Sequence, residues 1–410
     1  MDTPVDPAED PHPWRAAVAL GFLAIAAGML TAMWVAPVLG HNHWWIPGDA
    51  WRSLRAAHYV SQGNYGLIYE TGSLRDIYDS GPLFPLVLAP VAAISDLFHL
   101  HESYPFTRQH PSAWLVYGPY ALATAIPLLY AVRALVTQLG VRTGRTLLQF
   151  FVLLLAFVPM AIIYGHYEDV IALTLLLLAF RDVFAGRGLR GALLVGVAIA
   201  FKQWSLLAVP LFVVACPPVT RVRAAARCIV PPAVVFSLFL AADYKYASQA
   251  LLHPPAFPLY GHAALWVSSS TEYLSDVPTR FGAFVVAAGV AGLIRNRRDP
   301  GLIVSALGVV LFSRFLFEPA VHAYYLAPGI ALLVIGERIR GGSVVTKVIL
   351  SSALLLAFPL HPNRELWWLG AYALSVALLW QPVWRLFRRP AVGEGAHAAP
   401  EPTGARLTHA

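Results

Sequence analysis

Charge is scarce in this chain. Of its 410 residues only 12% are charged and 58% are hydrophobic, and the mean hydropathy is +0.61. Soluble proteins carry about a quarter charged residues. Twelve per cent cannot cover a water-facing surface of this size, so a soluble globular enzyme is excluded. Cysteine is scarcer still: Cys216 and Cys228 are the only two, which excludes a disulfide framework and a zinc cluster. The nucleotide fingerprints are missing as well, with no P-loop and no Gly-x-Gly-x-x-Gly turn. A donor used by this chain is therefore not expected to be a nucleotide sugar or ATP.

What is present is apolar length. Hydrophobic segments fall at about 15–39, 82–98, 112–132, 146–164, 169–184, 188–202, 203–216, 228–245, 281–294, 300–317, 322–336, 344–359 and 365–384. Several are nearer 15 than 20 residues, too short to cross a ~30 Å hydrocarbon core unaided. These should end in irregular backbone that is buried or lines a cavity. Segment 82–98 carries Pro82, Pro85 and Pro90 and is read as re-entrant; a second full crossing there would break the charge pattern downstream. The expected fold is an all-α polytopic membrane protein, a bundle of about 11–13 transmembrane or re-entrant helices. Residues 1–14 are expected to be a cytoplasmic acidic N-terminus with no removable signal peptide. Residues 15–386 are expected to form one integral membrane domain, with outer loop 40–81 carrying an interfacial helix, and 387–410 a disordered cytoplasmic tail.

The net charge of +7 does not describe a nucleic-acid groove. The basic residues sit in short loops: Arg133/Arg142/Arg145, Arg181/Arg187/Arg190, Arg221/Arg223/Arg227, Arg295/Arg297/Arg298, Arg338/Arg340/Lys347 and Arg385/Arg388/Arg389. Following the spans from 112 onward puts all of them on one side, which the positive-inside rule makes the cytoplasm. Most histidines fall at the opposite ends. Chemistry is therefore expected on the extracytoplasmic face of the cell membrane.

Four groups of residues there are candidates. The outer stretch 40–81 carries Asp49 after Pro47-Gly48, before a helical run that could lie in the interface. Asp49 either caps that helix or accepts a proton from a substrate hydroxyl; both can hold at once. In Tyr164-Gly165-His166-Tyr167-Glu168-Asp169, three ionisable groups lie at the lip of the bilayer, which is costly unless they face a cavity or each other. His166, Glu168 and Asp169 could hold a substrate hydroxyl or a divalent ion, or be an outward turn with an acidic cap. Lys202 is flanked by apolar residues, and either snorkels to headgroups or meets a phosphate. Last, Arg314 and Glu318 stand four apart and can neutralise each other. His322, Tyr324 and Tyr325 follow as polar ligands or as an interfacial aromatic belt. The outer loop 246–280 has the length and aromatic content of an acceptor surface.

Taken together, Gly48-Asp49, Gly63-x-Tyr65-x-Leu67-Ile68-Tyr69, Gly81-Pro82-Leu83-Phe84, Gly165-His166, Phe201-Lys202-Gln203 and Glu318-Pro319 before Tyr324-Tyr325-Leu326-Ala327-Pro328 resemble the polytopic glycosyltransferases of the C superfamily. The likeness is greatest to the bacterial mannosyltransferases of family 87, which use polyprenyl-phosphate mannose, and it spans about 40–330. That family more often has Gly-Gln where this chain has Gly165-His166. The resemblance implies a GT-C-like bundle with catalytic outer loops and an inverting transfer of a sugar, mannose above all. The donor would be a polyprenyl-phosphate sugar and the acceptor an extracytoplasmic glycolipid, polysaccharide or protein. It carries the catalytic base onto Asp49 and donor-phosphate binding onto Lys202, Arg314 and His322. Sugar or acceptor contacts are left to His166, Glu168, Asp169, Tyr324 and Tyr325. Neither a cofactor nor a metal is expected, because fixed cations can stabilise the leaving phosphate. The competing expectation is a transporter or flippase of a lipid-linked or small hydrophilic substrate, against which the chain shows no inverted repeat.

Overall fold

A computed structural model of the chain describes residues 46–70, 78, 80–100, 112–141, 144–252, 277–318, 322–357 and 364–388, with parts of 15–26. Every regular element among the described residues is helical. Four helical stretches are long and apolar enough to cross a membrane: Trp114–Gln138, Thr146–Ile163, Pro218–Ala242 and Pro300–Phe317. The chain is an all-α protein with the composition of a membrane protein. The acidic N-terminus 1–14, the tail beyond 388 and loop residues 253–276 lie outside the described residues.

Two helices begin at the end of the bundle that carries the site: α1 (Gly48–Ser61) and α2 (Leu83–Leu97). They pack along each other, and His58 Nδ1 meets Asp96 Oδ2 at 3.0 Å near their far ends. The segment expected at 112–132 is α3 (Trp114–Ala123) and α4 (Ala125–Gln138), broken at Thr124 between Pro119 and Pro127. Helix α5 (Arg145–Val152) continues into eleven residues, Leu153–Ile163, that wind in wider i→i+5 turns around Pro159. Proline has no N–H to give the ladder and its ring displaces the preceding carbonyls. Helix α6 (Tyr167–Phe184) then descends and α7 (Gly188–Phe201) returns. The chain leaves helical geometry at Lys202 (φ −148°, ψ 121°) before a 3₁₀ turn, Gln203–Ala208, and α8 (Val209–Ala215).

The remaining helices are α9 (Arg221–Ala242), α10 (Tyr244–Leu252), α11 (Val277–Ile294), α12 (Pro300–Phe317), α13 (Ala323–Ile339), α14 (Val345–Ala357) and α15 (Arg364–Phe387). Asp299 starts α12: its carboxylate accepts from Leu302 N at 3.1 Å, and Pro300 fills the first turn where no donor is needed. Helices α12 and α13 approach closely along a glycine seam. A Cβ on Gly308 would lie 2.8 Å from Leu333 N, and one on Gly329 2.7 Å from Phe312 N. Small residues at such a seam let two apolar helices gain dispersion contacts where no hydrophobic drive separates them from lipid.

At the end opposite the site, acids are buried and cations surround them. Asp182, fully buried, takes Arg181, Arg187 and Arg190 at 2.7, 2.8 and 3.1 Å. Glu337 joins Arg385 at 2.6 Å and Lys347 at 3.3 Å, tying α13, α14 and α15 together.

Candidate active site

The site begins with a close approach of two loops. Gly165 has φ +76°, and a Cβ there would stand 2.6 Å from Ala50 Cβ and 3.0 Å from Pro47 Cβ. Only glycine allows both the left-handed backbone and the contact. The residue that follows, His166, is held by its own N–H, which donates to the Met160 carbonyl of the wide-turned segment at 2.6 Å. The start of α1 and the start of α6 are thereby pressed together, 117 residues apart in sequence.

From this contact a chain of polar groups runs inward. Asp49 Oδ2 meets His166 Nε2 at 2.8 Å. His166 Nδ1 meets Glu168 Oε1 at 2.8 Å. The same Glu168 oxygen accepts from the Ser80 hydroxyl at 2.7 Å and from Lys202 Nζ at 3.0 Å. Lys202 Nζ also donates to Ser80 Oγ at 2.7 Å. Ser80 is brought here by Gly81, whose N–H donates to the Phe201 carbonyl at 3.1 Å, beside Lys202. The side chains of His166 and Glu168 are 2% exposed and that of Lys202 9%, but Asp49 is 30% exposed and pairs on its outer side with Arg52, 27% exposed.

Charge state follows from this placement. Burial opposes ionisation of Asp49, but His166 and then Arg52 outweigh it and hold the carboxyl well below the usual range. Burial and the nearby Lys202 both oppose a charge on His166, yet the carboxylates on its two nitrogens raise it to about 10. At neutral pH the ring is an imidazolium between two carboxylates.

Asp49 is not the helix cap. Pro47 occupies that position, Asp49 lies one residue inside the helix, and no side chain caps this end. The carboxylate is turned to His166 and Arg52 instead, because an imidazolium and a guanidinium attract it more strongly than backbone N–H groups. Glu168 and His166 are joined directly, but Asp169 is turned away, accepting from Trp204 Nε1 at 2.6 Å. No group of three His, Cys, Asp or Glu side chains with metal-binding geometry occurs among the described residues.

The second set of expected residues lies beside the first. Tyr324 stacks on His166 with ring centres 4.0 Å apart and on His322 at 5.5 Å. Tyr325 packs edge-on against Tyr324 at 4.4 Å. Arg314 meets Glu318 through Nε and Nη2 at 3.0 and 2.8 Å, and its guanidinium lies 4.7 Å from the Tyr325 ring centre. Arg314 is thus buried with an acid of its own, whereas His322 is half-buried and close enough to Asp49 to contribute to its ionisation. Sequence reasoning missed Ser80 and Tyr117. The Tyr117 ring packs edge-on against Tyr167 at 5.4 Å. Its hydroxyl and Glu168 Oε2 are buried polar atoms with no hydrogen-bond partner among the described residues. Only the Ser-Gly-Pro turn before an apolar run hinted at Ser80. No known family model matches the chain, and no curated protein matches it significantly.

Proposed function

We propose that this protein is an inverting membrane glycosyltransferase that moves mannose from a polyprenyl-phosphate donor to an acceptor hydroxyl outside the cytoplasm. The observation that carries the reading is an inversion of the usual layout. Around Asp182 at the basic end the acid is interior and Arg187 and Arg190 face out; at the site, Asp49 is the exposed member and its cationic partner His166 is interior. A carboxylate placed outermost, ionised and oriented from behind faces an approaching acceptor hydroxyl, and so weak a base takes the proton only as the new glycosidic bond forms.

In the reaction Asp49 takes the acceptor O–H proton. The acceptor oxygen bonds to the anomeric carbon from one face, and the bond from that carbon to the phosphate oxygen breaks on the other. The electron pair leaves with the lipid phosphate. Base and leaving group must stand on opposite faces, which disfavours Arg52, in contact with Asp49, as a phosphate ligand. His322 suits the leaving-group side: it is half-buried, makes no ion pair with Asp49 of the kind Arg52 makes, and is oriented by stacking on Tyr324. Arg314, behind Tyr325, is neutralised by Glu318 and backs the Tyr325 ring rather than the phosphate. An apolar bundle supports a prenyl-anchored donor.

The test is transfer of labelled mannose in proteoliposomes from polyprenyl-phosphate mannose to an envelope lipid extract. The reading predicts a product of inverted anomeric configuration and no use of nucleotide-linked mannose. Retention, or no transfer, would contradict it. The unbroken chain from Asp49 to Lys202 also favours a second reading, a proton-coupled carrier. That reading predicts proton-driven uptake without any new glycosidic bond, measurable in the same vesicles.

A further inference from the structure

Glu168 Oε1 is the node of the buried chain, accepting from Ser80, His166 and Lys202, while its other oxygen has no partner among the described residues. The direction of every bond is fixed. Lys202 can only donate, so Ser80 accepts from it and spends its single proton on Glu168. Glu168 as a carboxylate can only accept, so His166 Nδ1 donates to it. As an imidazolium His166 carries a second N–H at Nε2, which donates to Asp49. Removing Lys202 would leave the buried Glu168 with only His166 as a cation, which it shares with Asp49, and would drive Glu168 to take up a proton. Its hold on His166, and with it the aim of Asp49, would loosen.

We infer that Ser80 and Lys202 are positioning residues, which act through Glu168 and His166 to orient the Asp49 carboxylate and do not touch the donor phosphate. The inference rests on the glycosyltransferase reading and reassigns Lys202 within it. Lys202 donates to two groups inside the protein and its side chain is 9% exposed. A phosphate ligand would need to keep its ammonium turned outward. Ser80 and Lys202 are 122 residues apart, yet both stand directly behind the same carboxylate, Glu168.

The experiment is steady-state kinetics of the full chain in proteoliposomes, with polyprenyl-phosphate mannose varied at saturating acceptor. Ser80→Ala and Lys202→Met should lower kcat by about 10- to 100-fold, the scale of a misaimed catalytic group, with donor KM changed by less than about twofold. Ser80→Thr keeps the hydroxyl and should stay near wild-type rates, which mere packing would not explain. Should Lys202→Met fail to fold, Lys202→Met/Glu168→Gln removes both buried charges together. Its kcat should be no lower than that of Glu168→Gln alone. A donor KM raised tenfold or more in Lys202→Met with kcat intact would overturn the inference by showing a phosphate contact. Wild-type behaviour of Ser80→Ala, or multiplied losses in the double variant, would overturn it too. If Asp49→Asn is inactive while these variants are normal, the inference alone fails. If the wild-type protein transfers no mannose, the reading beneath it fails first.

Discussion

Protonation at Asp49 and His166 is decided by which neighbours each carboxylate and imidazole can reach. The Asp49 carboxyl is lowered, so its contribution to stability is present above the ordinary value of 3.8 and is lost as pH falls through its folded value. The His166 ring is raised, so its contribution is complete below 6.5 and drains away as pH rises towards about 10. The pair therefore gives its full support between pH 3.8 and 6.5 and loses it gradually on the alkaline side. Thermal midpoints in detergent should decline between pH 7 and 10 in the wild type. In His166→Gln that part of the decline should be absent; an identical decline would contradict the assignment. At this scale the sequence was informative wherever a polar residue was out of place. Lys202 among apolar residues and three ionisable groups in six residues both marked the site. Arg314 and Glu318 were readable as a pair because four residues on a helix is one turn. Ser80 was not, since its partners lie 88 and 122 positions away and a serine before Gly-Pro is ordinary turn chemistry.

The elements that deliver these side chains are a tight turn, a wide-turned helix and a glycine seam. Gly165→Ala should place a methyl into Ala50 at a backbone angle that costs about 1–2 kcal/mol on its own. The start of α1 would be pushed off the start of α6. Transfer is expected to fall at least tenfold, and a wild-type rate would show that the approach of the two loops is dispensable. Far from the site, Gly308→Leu should force α12 from α13 and destabilise the bundle by about 1–3 kcal/mol, an overpacking cost, read as a lower thermal midpoint. Hydrophobic runs revealed most of these helices. The expected 300–317 is Pro300–Phe317, and 82–98 is Leu83–Leu97. What the runs could not reveal is how prolines are absorbed. Pro119 and Pro127 flank a break at Thr124, and Pro159 is accommodated by wide turns that free the carbonyl receiving His166 N–H. Periodicity reports that a segment is apolar, not where its hydrogen-bond ladder changes register.

Across the whole molecule the sequence separates the two ends by sending arginine one way and most histidine the other. The sidedness implied by the positive-inside rule can be measured. Cys216 and Cys228 are buried, so labelling of introduced cysteines has a low background. Asn64→Cys, exposed beyond α1, should react with an impermeant maleimide in intact cells, and Val219→Cys, exposed in the basic loop, only after permeabilisation. The reverse pattern would put the site in the cytosol, away from an outward-presented lipid-linked sugar.

The central claim is that Asp49 removes the acceptor proton, and it is tested most directly by Asp49→Asn, which keeps the size of the side chain and removes its basicity. In proteoliposomes of equal protein content, kcat for mannose transfer from polyprenyl-phosphate mannose should fall by about 10²- to 10⁴-fold, with the donor KM little altered. Turnover near the wild-type rate in Asp49→Asn would contradict the account.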